Sequence, residues 1–239
     1  MGNRIAVIGS SGAIGNALTV QLAQLHPDGV VYAIARQPVR FPQGNIAPYL
    51  LKPLNEEGIA AASKAVTEEG LLDLVIVATG LLHEGVTQPE KSLRDLSPQK
   101  FMRLFEVNTI LPAIVAKHFI PKLRSDGRAI FAALSARVGS ISDNHLGGWY
   151  AYRASKAALN MIIRNAALET SRRRDNVIVV GLHPGTVDSK LSQPFQSAVP
   201  KSKLFSPNSS ATSLIAVLNE LTANDSGHCF AWDGSRINP

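Results

Sequence analysis

Arg4-Ile-Ala-Val-Ile-Gly-Ser-Ser-Gly-Ala-Ile-Gly15 reads as three things in succession. Its first five residues are an apolar run rich in branched side chains that stops at Gly9, the signature of a buried strand. Its last residues open a helical pattern, with Ile14, Leu18, Leu22 and Leu25 at helical spacing and Pro27 as the stop. The glycines between them mark a sharp turn. Strand, tight turn and helix in that order are the first unit of a parallel sheet.

The rest of the chain repeats the alternation. Apolar runs predict strands over 30–35, 45–51 (interrupted by Pro48), 72–78, 128–134, 176–182 and 228–232. Helical patterns fall at 56–67, 99–123, 149–172 and 208–221, with Pro112 kinking or restarting the second of these. Strands that are continuously apolar rather than alternating are covered on both faces. The expectation is therefore an α/β fold, a doubly wound parallel sheet of about seven strands with helices on both faces, in one domain spanning 1–239. No repeat or linker divides it.

Composition narrows the function. The chain has 239 residues, 45% of them hydrophobic, which is enough for a substantial core. Its one cysteine, Cys229, can staple nothing and is expected to be a partly buried free thiol. The six histidines (His26, His83, His118, His145, His183 and His228) show no i, i+4 pair of the kind a helical zinc site needs, so no metal site is expected. No apolar run is long enough for a membrane span, and the N-terminus carries neither a signal h-region nor a myristoylation pattern, so a cytoplasmic setting is expected. The formal charge is +6. The only dense basic run, Arg172-Arg173-Arg174, ends a helix, where cations offset the negative helix terminus, so a nucleic-acid partner is not expected.

The turn Gly9-Ser10-Ser11-Gly12-Ala13-Ile14-Gly15 suits a phosphate. Glycine lets the backbone reverse and approach an anion closely, and the free N–H groups of a helix start attract it. This makes the fold Rossmann-type and points to a dinucleotide. NAD sites place an acid at the end of the second strand; here Tyr32-Ala33-Ile34-Ala35-Arg36 ends in a base. A guanidinium pairs with a 2′-phosphate, so NADP is expected over NAD.

Tyr152-Arg-Ala-Ser-Lys156 supplies chemistry. Spacing i, i+4 puts phenol and ammonium on one helix face. A phenol can give a proton to a carbonyl oxygen, but its free pKa of about 10 is high, and a neighbouring ammonium is expected to lower it. Tyr150 points elsewhere on the helix and reads as packing.

The Gly-rich first turn, Ala78-Thr79-Gly80 closing a strand, Asn108 inside the long helix, Tyr152 with Lys156, and His183-Pro184-Gly185 after the sixth strand occur in one order. Over essentially the whole chain this resembles the short-chain dehydrogenase/reductase family. The stretch from Ser140 through Lys156 to Asn160 is most similar to its C-factor and sniffer-type carbonyl reductase branch.

The resemblance implies hydride transfer between nicotinamide and a carbonyl or alcohol carbon of a small molecule. It makes Tyr152 the general acid/base, Lys156 its partner and a ribose ligand, and Asn108 the holder of a water linking Lys156 to solvent. Ser11, Gly12, Ala13, Ile14, Pro184, Gly185, Val187 and Ser189 are implied at the cofactor, the segment 186–207 as a lid, and the loop 81–97 as a second determinant of substrate. A homodimer or higher homo-oligomer is implied, with Met102, Phe105, Ile114, Phe119, Met161 and Ile162 available for its interface or for the core.

Several positions depart from the family pattern. Ala13 stands at the middle glycine, Val77 and Ala78 where asparagines are usual, and Lys52 where an acid is usual. Three residues before Gly139, where the family has a serine that orients the substrate carbonyl, stands Ala136; Ser135 beside it, or Ser140, is the remaining source of a hydroxyl. The alternative is a nucleotide-binding signalling or regulatory protein of the C-factor type with little or no turnover.

Overall fold

The computed structural model describes residues 2–85, 88–198 and 200–239. Val86, Thr87 and Val199, which fall in the loops expected to set the substrate and to close over it, lie outside the described residues. The elements in chain order are β1 (Arg4–Ile8), α1 (Ala13–Leu25), β2 (Val30–Ala35), β3 (Ile46–Leu50), α2 (Glu56–Ala65), β4 (Leu74–Val77), α3 (Pro98–Phe105), α4 (Leu111–Phe119), β5 (Ala129–Leu134), α5 (Tyr150–Ser171), β6 (Val177–His183), β7 (Thr186–Val187), β8 (Leu204–Phe205), α6 (Pro207–Glu220), β9 (Cys229–Ala231) and β10 (Arg236–Ile237).

The main sheet has eight strands in the order β10-β9-β6-β5-β4-β1-β2-β3. Every pairing is parallel except the last, β9 with β10. The eighth strand is an addition to the expectation. It is a two-residue antiparallel edge strand, too short to leave a pattern in sequence. Pro48 sits in β3, the opposite edge, where its missing N–H costs no ladder bond.

Alternation within the strands sorts the core into two layers. Ile5 and Val7 of β1 pack with Leu18 and Leu22 of α1 and Leu214 and Leu218 of α6. Ala6 and Ile8 face the other way, toward Ile59 of α2, Val115 and Phe119 of α4, and Leu159 and Ile163 of α5. Phe119 is thus core, while Met102 and Met161 are exposed.

From β1 the chain winds outward through β2 and β3, then returns to β4 on the other side of β1 and winds the opposite way. The reversal opens a crevice at the carboxyl ends of β1 and β4, the usual ligand position in such sheets.

The long helix expected over 99–123 is divided. Between α3 and α4 lies one π turn, Glu106–Ile110, and the Leu111 N–H bonds the Glu106 carbonyl five residues back. Pro112 accounts for it: with no N–H, it cannot bond the carbonyl of Asn108 four residues back, and the turn widens. Arg174, in the basic run, donates to the carbonyls of Ile120, Leu123 and Arg124, which is a structural use.

Candidate active site

Two adjoining cavities fill the crevice. One lies over β1, β2 and α2 and is lined by Arg36, Leu51, Ile59, Glu84, Arg103 and Val107 among others. The other, of about 870 Å³, runs past α5 to the segment after β6. Ser11, Gly12, Ala78, Thr79 and Gly80 line both, so the two halves form one cleft joined at the glycine turn.

The turn is shaped by close backbone approach. Gly9 has φ +91, and a side chain on Gly15 would sit 2.2 Å from the Gly9 carbonyl oxygen. Gly12 caps α1 with no side-chain hydrogen bond to the helix N–H groups, and the first turn holds no acid. Ala13 and Ile14 line the second half of the cleft. The Thr79 hydroxyl is buried beside the turn with no protein partner among the described residues.

Tyr152 and Lys156, one turn apart on α5, both line the second half and are 8% and 2% exposed. Burial pushes the Tyr152 phenol up to about 12 and the Lys156 ammonium down to about 8. The expected lowering of the phenol by its neighbour is not the outcome here. Desolvation governs both groups, and the lysine Nζ is committed to the Leu134 carbonyl at 2.8 Å. Among the described residues Lys156 has no carboxylate partner; the buried thiol Cys229, pushed up to about 12 by its own burial, is uncharged wherever the lysine is an ammonium.

Asn108 sits in the π turn behind this wall, fully buried. Its side-chain amide donates to the Leu81 carbonyl (2.8 Å) and to Ser155 Oγ (3.1 Å) and accepts from the Leu81 N–H (2.8 Å). Both amide hydrogens are therefore engaged. Its backbone carbonyl is the one that Pro112 leaves without an α-helical donor.

The two serines separate. Ser135 lines the cleft, yet its hydroxyl donates to Asn160 Oδ1 at 2.6 Å. Ser140 is not among the lining residues; its Oγ accepts the Asp143 N–H at 3.1 Å. Ala136, between them, packs against Tyr152.

Pro184, Gly185, Val187 and Ser189 line the far wall, as does His183, whose ring is driven down to about 4 by desolvation and by nearby Arg137. Sequence reasoning missed the aromatic wall opposite. Trp149 packs on Tyr152 and on Phe195, with ring centroids 6.1 and 5.0 Å apart, and Phe195 meets His83 at 5.8 Å. His83 Nε2 bonds the Lys190 carbonyl at 3.1 Å, tying the loop after β4 to the segment after β7. At the other end of that segment Phe205 packs on Trp232 at 4.6 Å. Trp149 has φ +50, the one non-glycine residue with positive φ among the described residues. Glu90 holds it there: the Trp149 N–H donates to the Glu90 carbonyl and the Ala151 N–H to its carboxylate.

Comparisons with known proteins bear on the family and the fold. A short chain dehydrogenase family model matches residues 3–200. The chain is 32% identical over 146 residues to C-signal of Myxococcus xanthus, covering 61% of this chain and 82% of that one. It is 30% identical over 182 residues to 1-hydroxy-2-glutathionyl-2-methyl-3-butene dehydrogenase of Rhodococcus sp. (strain AD45), covering 76% and 75%. Similar solved folds include the NADPH-bound carbonyl reductase from chicken fatty liver (TM-score 0.81, 23% identity, 100% of both chains) and the carbonyl reductase Sniffer of D. melanogaster (TM-score 0.81, 21% identity, 99% of both). With the glycine turn, the buried Tyr152–Lys156 pair and a family match over most of its length, the chain belongs to the short-chain dehydrogenase/reductase family.

Proposed function

We propose that the protein is an NADP-dependent reductase of small carbonyl compounds. The observation that carries the reading is the cleft itself: it starts at an uncapped helix terminus and ends on a buried phenol and a buried amine. The residues fit a dinucleotide. The glycine approach to Gly9 and Gly15, the uncapped start of α1 and the unpartnered Thr79 hydroxyl suit a pyrophosphate, and Arg36 suits a 2′-phosphate. Gly9, Ser11, Gly12, Ala13, Ile14, Gly15 and Arg36 would hold the adenosine and phosphate end. Ala78, Thr79, Gly80, Pro184, Gly185, Val187 and Ser189, with Tyr152 and Lys156, would hold the nicotinamide end. When bound, the nicotinamide supplies the hydride that reduces the carbonyl carbon.

Tyr152 does the proton work. Its raised pKa keeps the phenol protonated at neutral pH, the form required to donate to a carbonyl oxygen as negative charge develops there. Lys156 stands one helical turn away, and its amine would hydrogen-bond a ribose hydroxyl and stabilise the phenolate left after donation. Asn108 would serve through its backbone carbonyl, which can accept from a water bridging to Lys156. The Ser135 hydroxyl already has an acceptor in Asn160, so orientation of the carbonyl would rest on Tyr152 and on the aromatic wall. The segment 186–207, tied down by His83, would be the lid. The homodimer remains a proposal that rests on exposed Met102 and Met161.

Purified protein with NADPH and a panel of aldehydes, ketones and quinones tests this. Loss of absorbance at the nicotinamide band is expected, and Tyr152→Phe should abolish most of it. Equal turnover by that variant rules out the assignment. Ala136 and the identity to C-signal favour a second reading, a nucleotide-binding regulator. That reading gains if NADPH binds tightly and no member of the panel is reduced.

A further inference from the structure

Charged side chains gather in the adenosine half of the cleft. One of them, Glu56, is paired with Lys117 and His118 of α4. The others are Arg36, Glu84, Arg103 and Glu106, and their signs alternate. Arg36 ends β2, Glu84 sits in the loop after β4, Arg103 lies on α3, and Glu106 begins the π turn. Arg103 binds Glu84 through two parallel bonds, Nε to Oε2 at 2.9 Å and Nη2 to Oε1 at 3.1 Å, and reaches Glu106 Oε2 with Nη1 at 3.0 Å. This two-pronged geometry fixes the Glu84 carboxylate in place. Arg103 holds the Glu84 carboxyl below its usual range, and Arg36 acts on it in the same direction.

The arrangement bears on which dinucleotide the cleft accepts. A carboxylate near the base at the end of the second strand repels a 2′-phosphate and suits a free 2′-hydroxyl. Here Glu84, from a different part of the chain, lines the same half-cleft as Arg36. With Arg103 in place, the guanidiniums of Arg36 and Arg103 balance the carboxylates of Glu84 and Glu106. Without it, Arg36 is the one cation left to set against these two carboxylates among the cavity's described lining residues.

We propose that Arg103 is a cofactor-specificity residue: by occupying Glu84 it leaves Arg36 free to receive a 2′-phosphate, and its removal turns the same half-cleft toward NADH. The proposal rests on the reading of Arg36 as a 2′-phosphate ligand.

The test is equilibrium binding of NADPH and of NADH to the purified protein, followed by nicotinamide fluorescence, so no substrate is needed. Arg103→Ala should lower the NADPH-to-NADH affinity ratio by about tenfold at low salt, with the effect shrinking as ionic strength rises. Glu84→Gln should raise the ratio. The double variant Arg103→Ala/Glu84→Gln should recover most of the wild-type ratio, because the freed carboxylate is then gone. A ratio unmoved in Arg103→Ala overturns the proposal. So does a double variant as poor as Arg103→Ala, since that marks Arg103 as a direct phosphate ligand. Failure of the underlying reading is a separate result: wild-type protein that binds NADH as tightly as NADPH, with Arg36→Ala no different.

Discussion

The two halves of the cleft handle charge in opposite ways. In the adenosine half, Glu84, Arg103 and Glu106 are partly exposed and each charge meets an opposite one. In the half beside α5, Tyr152 and Lys156 are buried, and the only side-chain hydrogen bond that Lys156 makes among the described residues is to a backbone carbonyl. Exposed pairs are screened, contribute little to stability, and are well suited to choosing between ligands that differ by one charge. Buried, unpaired groups have their proton affinities moved by desolvation, which is what acid–base chemistry requires. On the proposed reading, selectivity and reactivity would reside at opposite ends of one groove, connected by the glycine turn.

The comparison can be broken at either end. Tyr152→Phe should lower turnover by about a thousandfold, the range for loss of a general acid, while NADPH affinity changes by a far smaller factor. Steady-state rates and a binding titration on the same preparation check both. Lys156 offers a test in stability. Its folded pKa of about 8 lies below the ordinary 10.5, so the unfolded chain binds more protons between those values, and stability rises with pH across that window. The gain is at most about 3 kcal/mol, and Lys156→Met should flatten it in denaturant titrations at pH 8 and pH 10. Tyr152 and Cys229, both raised to about 12, work the other way above their ordinary values of 10.0 and 9.0, so the lysine is isolated by the difference between wild type and Lys156→Met at each pH.

His183 gives the acid counterpart. Its folded pKa is about 4 against 6.5, so the unfolded chain takes up the proton first and stability is lost as pH falls from 6.5 to 4. His183→Asn should remove about 2 kcal/mol of that loss, measured as a smaller fall in Tm on acidification. The smallest effect belongs to the other half: Arg36→Ala should weaken NADPH about tenfold and leave NADH much less affected, as for loss of one charge-assisted phosphate contact.

Much of this was readable from residue order alone, for reasons that differ by element. Buried parallel strands such as Ile5–Ile8 and Val177–Leu182 are unbroken apolar runs, and Gly9 and Gly15 stand where no side chain fits. Pro112 announced a break in the long helix but not its form, because a π turn and a kink begin from the same missing N–H. The Glu84–Arg103 pair could not be read, since nineteen residues separate its members and only the fold brings them together. The direction of the Tyr152 shift was also hidden: spacing shows that an amine is near, but not that both groups are dry. Ser135 is a similar case. It is adjacent in sequence to the expected serine position, but alternation along the chain turns its hydroxyl to Asn160 and leaves Ala136 against Tyr152.

Both tryptophans of the chain touch the segment that would close the cleft, Trp149 through Phe195 and Trp232 through Phe205. The molecule thus carries an optical gauge at each end of that segment. Trp232→Phe leaves only the indole beside the phenol, and Trp149→Phe only the one beside Phe205, so emission recorded during rapid mixing tests whether either end moves, without any attached dye.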